Sequence, residues 1–170
     1  MIRPGLNDCD PYFQRYINLI EGDDILKIIA KQSKATQDML NSFPGSKGDF
    51  RYAPGKWTVK QVVGHLMDTE RIFACRALCF ARGEKKSMPG FDENQYTENG
   101  NFNSRSLADI VYEFRLLRES NLLLFKSFPE DILDRRGIAD GREFTIRAIM
   151  FIIAGHERHH MNILNERYQQ

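Results

Sequence analysis

The stretch TIRAIMFIIAGHERHHMNIL, residues 145–164, decides the fold. Ile146, Ile149, Ile153, Ile163 and Leu164 recur at the 3.6-residue period of an amphipathic helix, which begins after Thr145 and runs almost to the C-terminus. Three upstream segments carry the same period. One runs from about Asp23 to Phe43, with Ile25, Ile28, Ile29, Met39 and Leu40 on its apolar side, and Pro44-Gly45 stops it. The next opens at Thr58, where Thr58 and Gln61 read as a capping box, and lines Val59, Val62, Val63, Leu66, Phe73 and Ala77 along one face to about Gly83. The third starts near Ser106 and shows Leu107, Ile110, Val111, Phe114, Leu117 and Leu124 before Pro129 ends it. Four long amphipathic helices without a series of strands predict an all-α, antiparallel four-helix bundle. At 170 residues a single domain over 1–170 is expected, with core helices near 23–43, 58–83, 106–128 and 145–168.

The connections are less regular. Residues 84–104 are long for a bundle loop and read as a lid, a binding loop or a crossover. Around Ala139-Asp140-Gly141, an Asp-Gly turn predicts a short hairpin before the last helix.

Charge narrows the function. Lys plus Arg (24) nearly balance Asp plus Glu (23), and no basic stripe is interleaved with aromatics. Binding to a phosphate backbone needs such a concentration, so no nucleic-acid partner is expected. No apolar run approaches the ~20 residues that span a bilayer, and the first residues lack a signal peptide's apolar core. A cytoplasmic protein without a membrane partner is the expectation, and a homodimer is allowed for. Cys9, Cys75 and Cys79 are too few and too unevenly spaced for a disulfide framework. Cys75 and Cys79, four apart, are expected as buried small hydrophobes.

The chemistry lies in the histidines. Only four exist, and three fall in His156-Glu157-Arg158-His159-His160. Positions i and i+4 on a helix share a face, so His156 and His160 point together into the stripe of Ile149, Ile153 and Ile163. Imidazoles facing a core are costly unless satisfied, and a metal satisfies them. His159 lies about 100° away, at the stripe's edge, and is the weaker candidate. The fourth, His65, sits at the edge of the second helix's apolar face, either as a hydrogen-bonded core residue or as a third ligand from a facing helix.

Two rival readings fail on their own terms. His156-Glu157-x-x-His160 matches the zinc-peptidase pattern with Glu157 as base. The longer form of that motif needs Gly and His where Ile163 and Glu166 stand, and no strand edge is available for a peptide. A di-iron site needs a second E-x-x-H, but Val62 stands three residues before His65.

Pro54-Gly55-Lys56-Trp57-Thr58-Val59, then Val63-Gly64-His65-Leu66-Met67-Asp68-Thr69-Glu70, and finally Gly155-His156 with His160 resemble the DinB/YfiT-like superfamily, in order and over almost the whole chain. The resemblance implies a four-helix bundle with His65, His156 and His160 holding one divalent metal, nickel or zinc. It further implies a metal-dependent hydrolase, or a thiol S-transferase using a low-molecular-weight thiol such as bacillithiol. Mycothiol-dependent isomerases of the family carry Glu in place of the second His and match less well. Beside the metal, Glu157 is a candidate base from local geometry alone, and Asp68 a candidate to orient His65. Trp57, Asp92 and Tyr96 lie on stretches expected to border the pocket. The expected function is a metal-dependent transferase or hydrolase on a small molecule; the alternative is a module that binds metal or ligand without turnover.

Overall fold

In a computed structural model that describes residues 2–169, six helices form in chain order: α1 (Gln14–Ile17), α2 (Ile25–Ser42), α3 (Val59–Ala81), α4 (Glu93–Asn99), α5 (Leu107–Lys126) and α6 (Ile146–Arg167). Side-chain caps set the starts of the four long ones. Asp24 accepts from the Lys27 amide, Ser106 from that of Asp109 and Thr145 from that of Ala148. At α3 the capping box is complete: the Gln61 amide donates to Thr58 Oγ1, and the Thr58 amide to Gln61 Oε1. Each cap satisfies a donor the helix end leaves orphaned, for about 1 kcal/mol. All eight expected boundaries fall within two residues of the observed ones.

The four long helices pack as a ring, α2 against α5 and α6, and α3 against the same two. Helices α2 and α3, consecutive in sequence, therefore stand at opposite corners. The simple antiparallel expectation needs a correction. Lys60 of α3 reaches Asn103, just ahead of α5, and further along Glu70 reaches Arg118 and Asn121. Residue numbers climb together on both helices, so α3 and α5 run parallel, and residues 82–106 are a crossover. By contrast α3 and α6 are antiparallel: His65 meets His156, while Arg135, before α6, donates to the Ala81 carbonyl.

The hairpin pairs β1 (Arg136–Ala139) with β2 (Arg142–Thr145). Its turn residues Asp140 and Gly141 both have positive φ, 54° and 68°, as a two-residue turn matching strand twist requires. Two segments had no legible period: α1 with the 3-10 turn Pro11–Phe13, and α4 within the crossover.

The core divides in two. One cluster joins α1, the start of α2, the end of α3, the hairpin and the start of α6; the other joins the opposite halves of α2, α3 and α6 to the start of α5. Between them lie buried polar residues, among them Gln32, Thr69, Glu70, Arg118, His156 and Glu157. Cys9 is buried, but Cys75 is exposed and Cys79 half-buried, contrary to expectation. Phe73, Ala74 and Ala77 take the inward positions of that stretch instead. No helix among the described residues is long and apolar enough to cross a membrane.

Candidate metal centre

Antiparallel packing of α3 on α6 carries His65 to the pair His156 and His160. The Nε2 of His156 lies 3.0 Å from Nε2 of His65 and 3.2 Å from Nε2 of His160. Ligand nitrogens about 2.1 Å from one tetrahedral ion stand about 3.4 Å apart, so the spacing suits a shared cation. Hydrogen bonding alone does not serve the cluster as well. One nitrogen of His156 faces two others, and a neutral ring nitrogen offers a single proton or a single lone pair.

The rings are also held in the form a metal needs. Burial lowers the His65 ring to about 4, with the His159 charge adding to it. Burial first, then His65 and His159, lowers His160 to about 3. Burial and the neighbouring imidazoles push His156 well below its ordinary value. Neutral imidazoles keep their lone pairs for a cation.

Surrounding side chains fix the rings. Trp57 lies tilted against His65 with ring centres 4.8 Å apart, and Tyr16 meets His156 edge-on at 5.3 Å. Tyr16 gets there because Gly155 has no side chain: a Cβ at Gly155 would stand 2.0 Å from the Tyr16 carbonyl oxygen. The cluster forms one wall of an open cavity of about 420 Å³, with Phe13, Phe73 and Phe144 among its apolar lining.

The other expected residues are placed as follows. Trp57 lines the cavity. Glu157 does not: with 1% of its surface exposed, it turns to the bundle axis, where one carboxylate oxygen lies 2.9 Å from Nη1 of Arg118. It is therefore not a base beside the histidines. The physical reason is helical: Glu157 lies 100° from His156, and that direction is the core. Asp68 makes no hydrogen bond or ion pair with His65; it faces Arg71 at 3.7 Å, and the hydrogen-bond partner of the His65 Nδ1 is the Thr69 hydroxyl, at 3.5 Å. Asp92 caps α4 through the Asn94 and Gln95 amides, and Tyr96 packs edge-on against Phe91 beside a separate groove that Asp68 also lines. Neither lines the histidine cavity. His159 does, with its ring 5.1 Å from that of His160 and outside the ligand cluster.

Sequence reasoning missed Tyr16, Thr69, Arg76 and Phe144. Thr69 and Arg76 had a signal, since they follow His65 at four and eleven residues on one face of α3. Tyr16 and Phe144 come from segments too short to show a period.

This fold agrees with what the chain resembles. Residues 29–164 match the DinB superfamily, so the chain belongs to that superfamily. A solved structure of YfiT from Bacillus subtilis superposes with a TM-score of 0.71 at 18% identity, covering 98% of this chain and 91% of that one. That protein is described as "a probable metal-dependent hydrolase with an unusual four-helix bundle topology". No curated protein matches the chain.

Proposed function

We propose that this protein is a metal-dependent enzyme that joins a low-molecular-weight thiol to a small electrophile in the cavity beside His65, His156 and His160. The observation that carries the reading is the donor set: three neutral imidazoles converge on an open cavity with no cysteine or serine in its lining. None of the three cysteines lines that cavity, and its carboxylates, Glu93 and Asp140, belong to exposed residues. A thiol brings its own nucleophile, so neither a catalytic cysteine nor a protein base is needed. A bound zinc or nickel ion supplies Lewis acidity, lowering the pKa of a thiol or water that reaches it.

The chain's own residues do the rest. His65, His156 and His160 hold the cation without cancelling its charge. Trp57 and Tyr16 lock two of the rings, and Phe13, Phe73 and Phe144 keep water from the apolar part of the electrophile. In the reaction the thiol sulfur bonds to the electrophilic carbon, and the leaving group departs with the electrons of its bond. The thiol proton passes to solvent.

Metal-dependent hydrolysis is the second reading, favoured by the likeness to YfiT. One experiment separates them. Metal-loaded protein is incubated with bacillithiol, glutathione or coenzyme A and a fluorogenic electrophile, and in parallel with ester and amide substrates. Conjugation above background with at least one thiol, lost in His65→Ala, is the expected result. Metal-dependent hydrolysis with no thiol response would hand the function to the hydrolase reading, and silence in both assays would leave a binding module.

A further inference from the structure

Three arginines are buried among the described residues: Arg76, Arg118 and Arg147. Arg118 pairs with Glu70 and Glu157, and Arg147 with Asp134. Arg76 differs. It is 3% exposed, yet no carboxylate of the described residues lies within ion-pair distance. One guanidinium nitrogen donates to the Pro89 carbonyl at 2.9 Å, and the group lies 4.9 Å from the Phe73 ring centre. Burial lowers its pKa more than the more distant Asp140 restores it, so its charge is only partly compensated. A buried guanidinium is costly without an anion.

Arg76 lines the histidine cavity. It follows His65 by eleven residues on α3, about three turns and ~16 Å of rise, so both stand on one face. Side chains on a helix lean toward its N-terminus, which aims Arg76 back toward the histidines. Between the two ends run Thr69 and Phe73, and Phe13 and Phe144 close edge-on against Phe73 at 5.9 and 6.1 Å.

We propose that the cavity takes small carboxylic acids with an apolar body, the carboxylate held by Arg76 and the body lying along Phe13, Phe73 and Phe144. This rests on the reading of the cavity as a substrate site and adds the substrate's class. A planar guanidinium fork matches a carboxylate in shape and charge. A phosphate dianion suits the cavity less. Of the two other cations lining it, Arg15 is stacked on Tyr12 at 3.8 Å and Arg142 is turned toward Asp10 at 3.9 Å. Glu93 and Asp140, exposed in the same lining, repel a second negative charge.

The test is calorimetric binding of 4-phenylbutyrate, 4-phenylbutanol and 4-phenylbutyl phosphate to metal-loaded, full-length protein, with Trp57 fluorescence as a second readout beside His65. The carboxylate is expected to bind about tenfold tighter than the alcohol, the worth of a charge-assisted hydrogen-bonded pair. That preference should vanish in Arg76→Met and persist only partly in Arg76→Lys, with folding checked by circular dichroism. Equal binding of acid and alcohol to the wild type, or no binding of either, overturns the proposal without reference to any variant. A preference that survives Arg76→Met also overturns it, since the carboxylate would then sit on the metal. A tighter phosphate replaces the carboxylate class. None of these probes carries a thiol, so failure of thiol conjugation leaves this result standing, and failure here leaves conjugation standing.

Discussion

His156 and Glu157 are neighbours on α6 and both are buried, yet they serve clusters of opposite character. Glu157 joins Arg118, which also donates to Glu70 at 2.5 Å, while Asn121 donates to the other oxygen of Glu70 at 2.9 Å. That cluster answers charge with charge and is sealed between four helices. The histidine cluster is neutral, its three Nε2 atoms converge on one another, and one side opens to the cavity. Buried polar groups that find their partners inside the protein build structure, whereas groups that converge without one are set for a ligand from outside.

The contrast breaks first at Arg118. Replacing it with Met strands two buried carboxylates, and such losses cost about 3–5 kcal/mol. Denaturant unfolding of Arg118→Met should show a loss of that size; a loss under ~1 kcal/mol would mean the ionic cluster is not structural.

Acid acts on the two clusters with opposite signs. The His65 pKa falls from 6.5 unfolded to about 4 folded, so between those values only the unfolded chain takes up a proton. Stability from this ring is full above pH 6.5 and is lost as pH falls toward 4, by roughly 3 kcal/mol at 1.36 kcal/mol per unit. Burial raises Glu157, with Arg118 opposing, so this carboxyl protonates earlier in the folded state and gains stability toward acid. Metal-free protein should therefore lose Tm between pH 6.5 and 4, and somewhat less in His65→Phe, where His156 and His160, lowered mainly by burial, still contribute. A flat profile would mean the rings are not held neutral.

A smaller effect is expected at Gly155. A methyl there collides with the Tyr16 backbone, so Gly155→Ala should cost about 1–3 kcal/mol and free the Pro11–Ile17 segment from α6. Faster amide exchange confined to residues 11–20 is the expected signature, and unchanged exchange there would contradict it.

Much of this was legible in the sequence, for reasons that also mark the limit. Long amphipathic periods and Ser, Thr and Asp caps are local features, so the four helices could be read directly. The pair His156 and His160 was legible because two imidazoles on an apolar stripe contradict their surroundings. Glu157 misled because H-E-x-x-H is read along the chain, whereas its role is decided by Arg118, 39 positions away on another helix. Glu70 and Arg118 carried no structural reading in the sequence for the same reason. Asp68 was misjudged by one residue: the neighbouring Thr69 is the one that faces His65.

The central claim is that His65, His156 and His160 form one metal centre while His159 and Glu157 stand outside it. The most direct measurement is elemental analysis of purified wild type, His65→Ala, His160→Ala, His159→Ala and Glu157→Gln after equilibration with zinc or nickel. About one ion per chain is expected in the wild type, in His159→Ala and in Glu157→Gln, and most of the metal should be lost from His65→Ala and His160→Ala. Metal retained in His160→Ala but lost from His159→Ala or Glu157→Gln would contradict the account.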